Sequence, residues 1–349
     1  MAAPDRVQTV LLAEPRGFCA GVEMAIKALA WMVRLFSPPV YCYHEIVHNQ
    51  SVVEHFRRLG VVFVDDVAEI PPGAPLMLSA HGSAPEVVEA ARRSGGVVVN
   101  AVCPLVTKVH HEVRTRAGKG YTVVYVGHAG HDEAVGTMAV APNAVRLVET
   151  EADVDALGPI GGPVALLAQT TLSHDEWRGV QESVRRRFPD VWMPGRSDLC
   201  FATTNRQAAL KAVAEEADAV IVIGSSNSSN TVALEKVARA AGCRRVYRVD
   251  TPEEVPGDLS GTVAVTAGAS APDSLIDAVV RRLNPVEPAR AVAAVDEDEY
   301  FPPPRELREL IRAAGAAVAL SLGAPPPPDS ATGDERTMTA SAVLDVLAG

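Results

Sequence analysis

Three of the five cysteines in this 349-residue sequence, Cys19, Cys103 and Cys200, lie 84 and 97 residues apart and share one local setting. Each stands at or just beyond the end of an apolar run and beside the start of a helical pattern: Gly17-Phe18-Cys19-Ala20-Gly21, Val102-Cys103-Pro104 and Asp198-Leu199-Cys200-Phe201. A lone free cysteine is usually a small buried hydrophobe. Three in equivalent positions read instead as one residue from each of three similar units, converging on a common centre. Converging thiolates select zinc, Cu(I) or iron–sulfur. Four cysteines would close a 4Fe-4S cluster, whereas three leave one iron open to act as a Lewis acid. Spacing alone leaves zinc and a cluster both open. Cys42, within Val40-Tyr41-Cys42-Tyr43, and Cys243, after Gly242, lack this context and read as structural.

Other chemistry-bearing side chains fall at similar places. His48, His81 and His131 sit in His48-Asn49, Ser79-Ala80-His81-Gly82 and His131-Asp132-Glu133, where donors neighbour small or polar residues. The stretch 225–230, Ser-Ser-Asn-Ser-Ser-Asn, separates an apolar run from a helical pattern. It reads either as a low-complexity turn or as an anion cradle of hydroxyls, amides and the free N–H groups of a helix N-terminus. Gly268-Ala269-Ser270-Ala271-Pro272 repeats the layout. No Gly-x-x-x-x-Gly-Lys-Ser/Thr and no Gly-x-Gly-x-x-Gly after a strand is present, so neither a P-loop nor a nicotinamide or flavin fold has support. An anion here is held by neutral or His donors. Glu133 stands in a stretch full of Gly and His. It is either a solvated loop carboxylate or, if shielded from water, a carboxyl of raised pKa suited to donating a proton.

These residues need a scaffold that presents strand ends to one another. Short apolar runs recur at 10–13, 76–78, 97–99, 121–126, 164–168, 220–223 and 263–265, each ending in a small or polar cluster. Such runs suit strands buried on both faces. Between them, helical patterns cover 22–36, 85–93, 105–117, 174–188, 204–216, 231–241 and 274–283, with start signals at Ser173, Asn230 and Pro272-Asp273. Strand, polar turn and helix in repetition predict an α/β fold with mostly parallel sheets, in which ligands bind beyond the carboxyl ends of the strands. The expected units are 1–103, whose N-terminal strand can instead join the third unit, then 104–199 and 200–290. Residues 291–349, with Pro302-Pro303-Pro304 and the Pro run 325–328 around an Ala-rich stretch, read as a partly disordered extension. One weak helical turn is expected at 342–347, and residues 310–349 are expected to be dispensable.

Hydrophobic residues at 48% and charged residues at 21% exclude global disorder, and aromatics at 5% leave the core to Val, Ala and Leu. A net charge of -11 argues against a nucleic-acid partner. Scattered cysteines without a Cys-x-x-Cys pair argue against a disulfide framework or zinc knuckle. No signal-peptide run or membrane-length apolar stretch is found, so a cytoplasmic protein with no membrane partner is expected.

The stretches PRGFCAGV (15–22), HEIVHN (44–49), SAHG (79–82), CPLVTKVH (103–110), GHAGHDEAVGTM (127–138), QTTLS (169–173), CFATTNRQ (200–207), NSSN (227–230) and TAGASAPD (266–273) closely resemble the 4-hydroxy-3-methylbut-2-enyl diphosphate reductases, the last enzymes of the non-mevalonate isoprenoid route. The resemblance implies three α/β units around a central 4Fe-4S cluster held by Cys19, Cys103 and Cys200. It implies that His48, His81, Ser228, Ser229, Asn230 and Ser270 hold the substrate diphosphate, with His131 assisting. Thr170 would contact the substrate hydroxyl and Glu133 would deliver protons. The implied reaction is reductive loss of that hydroxyl at the open iron, giving isopentenyl and dimethylallyl diphosphate, with electrons from a ferredoxin or flavodoxin. Asn100, Val102 and Ala139 depart from the usual Asp, Thr and Gly, and the tail beyond about 300 has no evident counterpart. A zinc-thiolate hydrolase of a phosphorylated small molecule, or a non-catalytic phosphate-binding relative, is the alternative.

Overall fold

Each apolar run becomes a strand with a helix behind it, and the strands gather into three sheets. The computed structural model describes residues 6–323, 325 and 336–348. Along the chain the strands are β1 (Val7–Glu14), β2 (Val40–Tyr43), β3 (Val61–Val64), β4 (Leu76–Leu78), β5 (Val98–Asn100), β6 (Thr122–Val126), β7 (Val145–Val148), β8 (Val164–Ala168), β9 (Ala219–Ile223), β10 (Val246–Val249), β11 (Gly261–Ala267) and β12 (Arg290–Ala293). The helices are α1 (Ala20–Leu35), α2 (Gln50–Arg58), α3 (Pro85–Arg93), α4 (Pro104–Gly118), α5 (Asp132–Ala139), α6 (Glu151–Ala156), α7 (His174–Arg187), α8 (Phe201–Ala214), α9 (Ser229–Ala240), α10 (Asp273–Leu283), α11 (Arg305–Ser321) and α12 (Ala340–Ala348).

The strand orders are β10-β9-β11-β1-β12, β3-β2-β4-β5 and β7-β6-β8. All the pairings are parallel. The molecule is thus α/β, built as three α/β units. The N-terminal strand β1 lies between β11 and β12, with Leu12 opposite both Val265 and Ala291. Every residue of β8 (VALLA) and β9 (AVIVI) is buried, which is why these strands show no polar alternation. No helix among the described residues is long and apolar enough to cross a membrane.

Helix starts are set by side-chain caps. Ser173 Oγ accepts from Glu176 N at 3.2 Å while the Glu176 carboxylate accepts from Ser173 N at 3.1 Å, a capping box that fixes α7. The expected start of α9 at Thr231 is corrected by two residues. Ser228 is the cap, accepting from Thr231 N at 3.4 Å. Asn230 instead accepts from Ala269 N at 3.0 Å and donates to Thr203 Oγ1 at 3.3 Å, so its amide ties two loops together. Glu133 is not on a loop but in the first turn of α5.

The C-terminal extension also differs from expectation. The boundary at 291 falls inside β12, and α11 and α12 are full helices. Leu307 and Ala340 are 0% exposed and Leu344 8%, all packed in the core around α1. Ala340 N donates to Glu23 Oε2 at 2.7 Å, seating α12 on α1. Ala-rich composition hid this packing, because small side chains let helices approach closely with few large apolar residues. Residues 326–335, on which part of the expected disorder falls, lie outside the described residues.

Candidate active site

The carboxyl ends of the three sheets meet at one cavity with about 760 Å³ of empty volume. Cys19 follows β1, Cys103 follows β5, and Cys200 is docked to the end of β8 by its N–H, which donates to Thr170 O at 2.9 Å. Each cysteine is the N-cap of a helix, α1, α4 and α8. Unsatisfied N–H groups and the positive end of the helix dipole therefore lie beside each sulfur. Thr203 N donates to Cys200 Sγ at 3.2 Å, and Thr203 Oγ1 lies 3.0 Å from the same sulfur. Burial still dominates. It raises all three thiols, Cys200 to about 12, against the opposing pull of those N–H groups.

Thiols held protonated by burial are thiols that a soft metal centre relieves, since metal binding expels the protons and supplies the missing positive charge. The backbone leaves room for the purpose. A Cβ on Gly21 would stand 2.9 Å from Cys103 Sγ and 3.9 Å from Cys19 Sγ. Only a residue without a side chain lets these two sulfurs lie so near the start of α1. The donor set, three sulfurs at three helix N-termini, fits a thiolate-held cluster.

A further part of the cavity lining is polar. His48 and His81 stack with ring centroids 3.8 Å apart, and His131 meets His48 edge-on at 5.2 Å. Burial and the neighbouring imidazoles hold His81 well below its ordinary value, and burial takes His131 to about 4, so both rings are neutral near pH 7. His131 Nδ1 accepts from Glu133 N at 3.1 Å, which leaves its proton on Nε2 as a donor. His48 Nε2 and His81 Nδ1 are buried without a hydrogen-bond partner. Buried polar atoms of this kind call for a ligand. Ser228, Ser229 and Asn230 at the start of α9, with Ser270, complete the ring, and none of the lining residues is Lys or Arg.

Glu133 lines the same cavity. It is 2% exposed; Thr170 N donates to its Oε1 at 2.8 Å and Thr170 Oγ1 to its Oε2 at 2.9 Å. Burial raises its pKa to about 7 against these two hydrogen bonds. At neutral pH the carboxyl is poised between its two forms.

All twelve residues that the sequence and its resemblance single out line this one cavity: Cys19, Cys103, Cys200, His48, His81, His131, Glu133, Thr170, Ser228, Ser229, Asn230 and Ser270. Cys42 and Cys243 are buried in separate apolar clusters, away from it. A family model described as LytB protein matches residues 10–284. The chain belongs to the LytB family. It is 46% identical over 314 residues to the 4-hydroxy-3-methylbut-2-enyl diphosphate reductase of Rhodopirellula baltica, covering 88% of this chain and 98% of that protein. It is 42% identical over 330 residues to the reductase of the same name from Acidothermus cellulolyticus, covering 93% and 97%. The uncovered 7% is too short to hold every residue past 300, so part of the C-terminal extension does have a counterpart. The solved E-1-hydroxy-2-methyl-but-2-enyl-4-diphosphate reductase of Plasmodium falciparum superposes with a TM-score of 0.84 at 30% identity, covering 89% of this chain and 99% of that one.

Sequence reasoning missed several residues of this LytB site. Asp132 lies behind the histidines, with Oδ1 2.8 Å from His44 Nδ1 and Oδ2 3.7 Å from His81 Nδ1. Its burial is outweighed by the His44 hydrogen bond and neighbouring imidazoles, so its carboxyl stays below the usual value. Gln169, fully buried, accepts from His128 N at 2.9 Å and donates to Ser229 Oγ at 3.3 Å, fixing a hydroxyl of the polar ring. Both stand beside residues already singled out. Adjacency to Glu133 and Thr170 was the only signal, and it does not say which way a side chain turns.

Proposed function

We propose that this chain reduces (E)-4-hydroxy-3-methylbut-2-enyl diphosphate to isopentenyl and dimethylallyl diphosphate, using two electrons and two protons and releasing water. The observation that carries the proposal is the meeting, in one cavity, of three helix-capping cysteines, a ring of His, Ser and Asn donors without Lys or Arg, and the buried Glu133–Thr170 pair. Cys19, Cys103 and Cys200 would hold a 4Fe-4S cluster, which would supply electron transfer and Lewis acidity at this centre.

The protein's own groups do the rest. The diphosphate is held by His48, His81, His131, Ser228, Ser229, Asn230 and Ser270, polar donors backed by the N-terminus of α9. Such donors bind the anion through hydrogen bonds of fixed direction, which orients the substrate chain toward the sulfurs. Thr170 meets the substrate hydroxyl. Because Thr170 Oγ1 is bonded to Glu133 Oε2, the protonated carboxyl can pass its proton through that hydroxyl to the departing oxygen. Electrons come from a small redox protein of the ferredoxin or flavodoxin class, since the chain carries no flavin or nicotinamide fingerprint. Free thiols at the centre suit a reducing cytoplasm.

The test is anaerobic purification or reconstitution followed by turnover with a strong reductant. The expected protein is brown, carries acid-labile sulfide and converts the allylic alcohol to the two diphosphate products. A colourless, zinc-loaded protein with no product would overturn the proposal.

A further inference from the structure

Arg206 is the largest fully buried side chain among the described residues, 1% exposed, and its hydrogen bonds there go neither to the anion ring nor to the cysteine sulfurs. Its donors are spent on backbone and on one carboxylate. Nε and Nη2 donate to Gly17 O at 3.0 and 2.8 Å, and Nη2 also to Phe18 O at 3.1 Å. Nη1 donates to Ala202 O at 3.1 Å and to the Glu297 carboxylate at 3.0 and 3.1 Å. Gly17 and Phe18 lead directly into Cys19, and Ala202 lies two residues past Cys200. Arg206 itself lies on α8, the helix that Cys200 caps, so one guanidinium ties that helix to the loop leading into Cys19.

A buried cation without a counter-charge is costly. The counter-charge comes from Glu297, in the segment after β12, whose Oε2 also accepts from Asn205 Nδ2 at 2.9 Å. Four residues further, Phe301 lines the cavity, its ring 6.2 Å from that of Phe201 next to Cys200.

We propose that the Glu297–Phe301 segment is a latch on the cofactor: Glu297 is a positioning residue that, through Arg206, holds the Cys19 and Cys200 loops in register and sets the charge felt by the cluster. This rests on the reading of the three cysteines as cluster ligands. The electrostatic sense follows from the geometry. The guanidinium, bonded to the carbonyls of Gly17 and Phe18 next to Cys19, favours negative charge in its neighbourhood, and the Glu297 carboxylate held against it at 3.0 and 3.1 Å offsets that effect. Reduction adds negative charge to a cluster, so removing the carboxylate while keeping Arg206 favours the reduced form.

The test uses the full-length, anaerobically loaded protein and its Glu297→Gln and Glu297→Asp variants. Glu297→Gln, nearly isosteric, is expected to shift the midpoint potential to more positive values and to lose its visible absorption in air about tenfold faster, the low end of the effect of deleting an outer partner of a metal ligand. Glu297→Asp keeps the charge but shortens the reach. It is expected to lose its cluster faster than the parent with a smaller potential shift. A parent-like potential together with parent-like decay in Glu297→Gln would overturn the latch. If that variant does not fold, parent-like decay in Glu297→Asp overturns it equally. A parent protein that takes up no iron would instead sink the functional reading, so the two failures are distinct.

Discussion

Glu133 owes its chemistry to burial. Its two hydrogen bonds from Thr170 stabilise the carboxylate, yet loss of water wins and the pKa rises to about 7 from 4.5. Glu133→Gln keeps the shape and removes the proton. It is expected to load iron like the parent and to lower kcat by ~10²–10⁴, the usual cost of removing a general acid. Iron content and saturating-substrate turnover check this, and turnover within threefold of the parent would sink it. The pH dependence has a definite sign. On the proposed role of Glu133 as proton donor the protonated form is the working one, so kcat/KM of the parent is expected to fall as pH rises through about 7, and the residual rate of Glu133→Gln should lack that fall. Stability follows the same direction. A folded-state pKa above the ordinary value favours the native state fully below about 4.5, and that contribution is lost as pH rises through about 7.

At the scale of elements, three helix starts carry the three sulfurs, and Gly21 in the first turn of α1 lies close against two of them. Gly21→Ala would place a methyl 2.9 Å from Cys103 Sγ. It is expected to fold but to take up much less iron on reconstitution, as are Cys19→Ser, Cys103→Ser and Cys200→Ser, while Cys42→Ser and Cys243→Ser load normally. Full iron in Gly21→Ala would show that the sulfurs have room to spare. The same scale explains what the sequence disclosed. β8 and β9 were legible because both faces are buried and the run is unbroken. β3, β7, β10 and β12 were not singled out. All are edge strands of four residues, and the exposed positions in VVFV, VRLV, VYRV and RAVA break or shorten the apolar signal. α5 was hidden by the glycines and histidines of GHAGHDEAVGTM, which read as a loop until His131 is seen capping it. The site residues were legible because strand ends are where parallel sheets put ligands. Arg206 and Glu297 were not, since 91 residues separate them and only tertiary packing pairs them.

For the molecule as a whole, the extension is part of the body. Deleting 310–349 removes Ala340 and Leu344 from the core around α1 and the bond from Ala340 N to Glu23. Burial of a Leu side chain alone contributes ~1.5–3 kcal/mol. The truncated protein is therefore expected to melt several degrees lower than the full chain, by circular dichroism or calorimetry. An unchanged melting temperature would mean that α12 contributes nothing and that the compositional reading of a dispensable tail was right after all.

The position of β1 between β11 and β12 has a consequence for how the protein comes into being. β1 can take its place only when both its partners exist, Val7 beside Gly261 and Leu12 beside Ala291. Until then the loop bearing Cys19 has no sheet to hang from, whatever the state of the units bearing the other sulfurs. Pairing across so long a stretch of sequence is slow and comes late. A centre that needs all three sulfurs would therefore be complete only after β1 has paired with β11 and β12.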